Sequence, residues 1–149
     1  MMTEISLGSY RLLVDVEGTR AYYQAHPLPW VTCTCAGCRN FLQAVRTASP
    51  EVTAFLRRLG LEAEKAAEVC VDWGDAQGCL YGVWYHLQGQ VLSGGPKMGH
   101  RGGEWLPIAE GASFSPECYL LPQDFPRPAI QLDLEWRLPW LLPEENPYQ

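Results

Sequence analysis

The chain has 149 residues, a formal net charge of −6, 47% hydrophobic residues and 19% charged ones. That composition excludes a disordered chain and suits one domain with an ordinary core. The acidic balance argues against nucleic acid as the main partner, and no apolar run approaches the roughly 20 residues of a membrane-spanning helix.

Ile5 to Val16 opens with a strand-like alternation, in which Tyr10, Leu12, Val14 and Val16 interleave with Arg11, Leu13 and Asp15. Glu17-Gly18 reads as a turn, and Thr19 as the cap of a short helical turn through Gln24. His26-Pro27-Leu28-Pro29 has to be extended or loop, because a proline disfavours helix in the residue before it. Val31-Thr32-Cys33 is a short β-prone run into a cysteine loop.

A helix is expected from Gly37 or Cys38 to Thr47, with Phe41, Leu42 and Val45 on one face. Ser49-Pro50-Glu51 restarts it with a capping serine, a proline at the first position and an acid in the first turn. Val52, Phe55, Leu56 and Leu59 form the second stripe, and Gly60 closes it. Beyond this helical pair the chain turns β-like. Strands are expected at Glu68 to Trp73 and Cys79 to Leu87, with a turn over residues 74–78 between them. Gln88-Gly89 then reads as a hairpin into Gln90 to Leu92. Residues 93–104 are loose and glycine-rich, and 105–121 irregular with a short strand at Cys118 to Leu121. Ile130 to Arg137 alternates cleanly: Ile130, Leu132, Leu134 and Trp136 face one way, Gln131, Asp133, Glu135 and Arg137 the other. The proline-rich tail, 139–149, is irregular, and the apolar segment Trp136 to Pro143 is expected to lie across a groove of its own domain, the alternative being to dock on another subunit. The order predicts a single α+β domain over residues 1–149, a mostly antiparallel sheet with the helical pair packed on one face.

The densest chemistry is Cys33, Cys35 and Cys38, three cysteines within six residues just ahead of a helix. Thiolates at short spacing let one loop wrap a soft metal, and the Cys35-x-x-Cys38 gap is common in zinc sites. A fourth ligand has to come from Cys70, Cys79, Cys118, His26, His86 or His100. The usual zinc turn carries a glycine where this chain has Arg39. Thr34-Cys35-Ala36-Gly37-Cys38 followed by a helix also resembles the metal loop of heavy-metal-associated (copper-chaperone) domains, with Cys33 where that family has methionine. Cys35-x-x-Cys38 at a helix start, with Trp30 upstream, resembles the active motif of thioredoxin-like proteins as well, which implies thiol-disulfide exchange. A third alternative is inert packing, since cysteine is a small, often buried hydrophobe.

Three further groups are candidates. Lys97, His100 and Arg101 lie in a glycine-rich loop whose backbone amides and cations suit an anion. Tyr81, Trp84, Tyr85 and His86 crowd one strand, where one face packs on the helices and the other offers a ligand or partner surface. A Cys–His nucleophile pairing Cys79 or Cys38 with His86 is a further option.

No secretory start is visible in the first ten residues, so a cytoplasmic location is expected, where six cysteines are free thiols or metal ligands rather than disulfides. The cysteine loop, Arg39-Asn40-Phe41, Ser49-Pro50-Glu51, Phe55-Leu56 and Leu59-Gly60 together resemble small bacterial proteins, a likeness that implies no activity. The reading is a small soluble binding or interaction module without a catalytic motif. Its cysteine loop is structural, with zinc the candidate cofactor, and a protein, a small molecule or a second copy of the chain is its candidate partner. The alternative is a thiol-disulfide oxidoreductase using Cys35 and Cys38.

Overall fold

The computed structural model describes residues 1–94 and 105–149. Their element order is β1 (Thr3–Leu7), β2 (Tyr10–Val14), α1 (Val16–Ala25), α2 (Ala36–Ala44), α3 (Pro50–Arg58), β3 (Glu68–Gly74), β4 (Gly78–Ser93), β5 (Gly111–Ser115) and β6 (Ala129–Pro139). All six strands join one antiparallel sheet, in the order β1-β2-β4-β6-β5, with β3 added on β4. The α+β architecture with helices on one face is as expected from the sequence.

The long strand β4 organises the sheet. One of its edges pairs along its first eleven residues with β6, from Gly78↔Pro139 to Gln88↔Ala129. Its other edge is shared: β3 takes Cys79 to Trp84, and β2 takes Gly89 to Ser93. Between these two partners no strand of the described residues lies on this edge of β4, and α1 fills the gap with side chains. The Tyr23 hydroxyl donates to the His86 carbonyl at 2.7 Å and accepts from the His86 amide at 3.3 Å. Thr19 Oγ1 accepts from the Gln88 amide at 3.0 Å. Backbone polar groups that would otherwise be buried and unpaired are thus satisfied without a strand.

Alternation then sorts the two sheet faces. Tyr81, Val83, Tyr85 and Leu87 of β4 sit opposite Trp136, Leu134, Leu132 and Ile130 of β6, and all eight are buried. The helices cover this face. Phe41 of α2 packs edge-on against Trp136, with ring centroids 6.0 Å apart. The buried tyrosines keep their hydroxyls paired, as burial requires: Tyr81 donates to the Gly37 carbonyl at 2.8 Å, and Tyr85 to the Ala63 carbonyl at 2.7 Å. Ser49, in the cap position of α3, makes no side-chain cap bond and instead accepts from the Trp136 indole at 3.1 Å.

Several local expectations are corrected. The opening strand is a hairpin, β1 and β2, because Gly8 adopts a positive φ of 56° that turns the chain. Glu17-Gly18 lies inside α1, since Asp15 caps that helix by accepting from the Gly18 amide at 2.8 Å. Gln88-Gly89 is no hairpin: β4 runs straight through, held there by β2 and β6. Cys118 to Leu121 is not a strand, and the last sheet edge is β5. The tail does lie over its own domain. The Leu141 amide donates to Asn40 at 2.6 Å, and the buried Asn146 side chain donates to the Asp75 and Gly78 carbonyls.

Candidate metal centre

The cysteine loop is held at both ends. Upstream, the Trp30 indole donates to the His26 carbonyl at 3.0 Å, and its ring packs on Tyr22 and Tyr23 of α1. Downstream, α2 starts at Ala36 with Cys35 as its cap. The first amides of a helix have no partner within it, and here sulfur serves: Cys35 Sγ accepts from the Cys38 amide at 3.5 Å. Cys33 Sγ accepts from the Cys35 amide, also at 3.5 Å. Gly37 is needed because a Cβ there would stand 2.7 Å from Val71 of β3 and 2.9 Å from the Tyr148 hydroxyl.

The three sulfurs lie within 4.8 Å of one another. Two of the cysteines are exposed, Cys33 and Cys35, whereas Cys38 is buried. Zinc–sulfur bonds of about 2.3 Å in a tetrahedron put neighbouring sulfurs about 3.8 Å apart, so three thiolates here can close on one ion with small side-chain adjustments. The site is geometrically compatible with zinc coordination.

Electrostatics divide the cluster. The Cys38 amide, pointing at Cys35, pulls that thiol down to about 7 against a smaller opposing effect of burial. Hydrogen bonds from Cys33, Cys38 and the Tyr148 hydroxyl add to this. Burial pushes the Cys38 thiol far up, and its two cysteine neighbours push the same way. Arg39, at the position where zinc turns have glycine, folds back over the loop. Its Nε donates to the Thr34 carbonyl at 3.0 Å, and its two terminal nitrogens hold Glu144 at 2.6 and 3.1 Å. Tyr148 and Glu144 belong to the tail, which therefore takes part in the site.

Among the described residues no fourth histidine, cysteine or carboxylate joins the three sulfurs. Cys70 is exposed on β3. Cys79 is buried beside Asn146, whose amide donates to its sulfur at 3.5 Å. Cys118 is half-buried in the segment after β5. His26 holds Asp124 at 2.9 Å, and His86 is buried with Nε2 3.3 Å from Gln131. These partners also leave neither Cys79 nor Cys38 paired with His86 as a nucleophilic couple. His100, with Lys97 and Arg101 of the proposed anion loop, lies outside the described residues.

The aromatic strand is corrected. Tyr81, Tyr85 and His86 are buried, so they form no surface for a ligand or partner. Trp84 alone of the four is partly open, and its indole donates to the Tyr119 carbonyl at 3.1 Å.

No family model, no curated protein and no solved structure matches the chain.

Proposed function

We propose that this domain is a small metal-binding module whose Cys33, Cys35 and Cys38 thiolates hold one thiophilic ion, with zinc the first candidate. The convergence of three sulfurs within 4.8 Å carries this reading. One of them, Cys35, already accepts the Cys38 amide at the start of α2, an arrangement that favours the thiolate form a metal requires. The ion would tie the loop to the start of α2 and, through Tyr148 and Arg39–Glu144, to the tail. The reading includes a reducing bacterial cytoplasm as its setting, consistent with all six cysteines being free.

The direct test is metal content by mass spectrometry, with thiol titration on the same sample, after purification without chelator or metal-affinity resin. One zinc per chain, with three thiols shielded until chelator is added, is the expected result. Metal-free protein that also fails to take up added zinc would overturn it.

One observation favours a second reading. Cys35 is exposed at a helix start and Cys38 is buried behind it, the asymmetry of an attacking and a resolving thiol. In that case Cys35 would attack a partner's disulfide and Cys38 would displace it. The partner would leave as two thiols, reduced by the two electrons that the Cys35 and Cys38 thiols give up as they are oxidised to their own disulfide. Metal-free protein with one fast-reacting thiol that forms this disulfide would support that enzyme instead.

A further inference from the structure

The face of the sheet away from the helices carries a second, chemically different site. Cross-strand register assembles it. Gly82 of β4 pairs with Glu135 of β6, and Glu135 pairs on its other side with Gly111 of β5. Glycine on both sides of Glu135 leaves the sheet without flanking side chains there. Asp72 of β3 leans over Gly82, where a Cβ would meet its carboxylate at 3.3 Å. The six-membered ring of Trp105 lies against Gly111, where a Cβ would stand 2.7 Å from it. Trp84 borders the same space, giving an open trough of about 250 Å3.

Three carboxylates, Asp72, Asp133 and Glu135, and two tryptophans frame this trough; Asp133 is engaged by the Gln131 side-chain amide at 3.1 Å, and among the described residues no ion pair engages Asp72 or Glu135. Carboxylates in a short array with aromatic faces suit a planar cation, which stacks on the ring and forks onto the acid. The molecule already uses that chemistry once nearby. The Arg137 guanidinium lies 4.6 Å from the Trp73 ring centre and bonds Asp75 at 3.2 Å. The carboxylates are not clustered tightly enough with other donors to form a metal group, since the one such group among the described residues is the cysteine cluster.

We propose that this trough docks an arginine side chain of a partner protein, with Asp72 and Glu135 receiving the guanidinium and Trp105 and Trp84 stacking on it. The site is separate from the cysteine cluster and stands or falls without it.

The probe is the peptide acetyl-Gly-Arg-Gly-Arg-Gly-amide, titrated while the indole N–H signals of Trp84 and Trp105 are followed by NMR. Matched peptides carry citrulline or lysine in place of arginine. The arginine peptide is expected to shift both indole signals and to bind at least ~10-fold more tightly than the citrulline peptide. The double variant Asp72→Asn, Glu135→Gln is expected to lose that preference, whereas Glu51→Gln, an exposed acid on α3, keeps it. Equal binding of the citrulline peptide would show that the cationic charge plays no part and would overturn the site, and an equal loss in Glu51→Gln would overturn it in favour of diffuse attraction to an acidic surface. Equal binding of the lysine peptide would overturn the guanidinium assignment. Far-UV circular dichroism of each variant checks that the fold is intact.

Discussion

The two faces of β3 and β4 are built from alternate residues of the same strands, yet they do opposite work. On the covered face Val71, Tyr81, Val83 and Tyr85 meet the helices and the base of the cysteine loop. On the open face Asp72, Gly82 and Trp84 leave a polar trough. Soft sulfur donors stand at the margin of the covered face, and hard carboxylates with aromatic rings line the open one. A shift of one residue exchanges the faces, so one register specifies both the core and where each kind of chemistry is displayed.

That contrast is open to attack first on the covered face. Trp136→Ala removes a fully buried indole and its bond to Ser49, and is expected to cost about 3–5 kcal/mol in urea unfolding. A loss under ~1 kcal/mol would mean that this face is not the main core. Asn40→Ala comes next. Its side chain donates to the Tyr81 hydroxyl at 3.1 Å and to the Pro139 carbonyl at 3.0 Å, and accepts from Leu141. Leaving those groups unpaired is expected to cost about 2–3 kcal/mol and to speed proteolysis of the tail.

A smaller effect depends on pH, and two histidines give it opposite signs. Burial holds the His86 imidazole below its ordinary pKa, so the unfolded chain takes up a proton more readily. His86 therefore lowers stability as pH falls below about 6.5. The Tyr22 carbonyl, and then Asp124, raise the pKa of His26. Its contribution is full below about 6.5 and fades as pH rises through its folded value. Urea unfolding from pH 5 to 8 is expected to show a weaker acid-side fall in His86→Gln and a steeper one in His26→Gln. The reverse ordering would contradict both environments.

The smallest effect belongs to the open face. Glu135→Gln is expected to change stability by no more than about 0.5 kcal/mol, because the carboxylate borders an open trough and leaves the core untouched. A loss comparable to Asn40→Ala would show that the trough is structural and not a binding surface.

Much of this was legible in the chain. The alternation of β6 put Ile130, Leu132, Leu134 and Trp136 on one face, the covered one, Ser49-Pro50-Glu51 started α3, and Gly60 ended it with a φ of +86°. The cysteine cluster was legible because its members are close in sequence. What the sequence hid depends on distant partners. Gln88-Gly89 carries a hairpin signal that pairing with β2 and β6 overrides. β5 is short, and its Gly-Ala-Ser-Phe-Ser run has little β preference of its own. Tyr148 reaches Cys35 only because the tail folds back, and the trough exists only through register across four strands.

The gap on β4 has a further consequence. An unpaired stretch of strand invites an extended segment from another molecule, yet here the Tyr23 hydroxyl and Thr19 Oγ1 already occupy the hydrogen-bonding groups of His86 and Gln88. An intruding strand would have to displace α1 before it gained a single bond. Two side-chain oxygens thus guard the longest strand of the sheet against templated aggregation at this point, while leaving it free to serve three partners of its own.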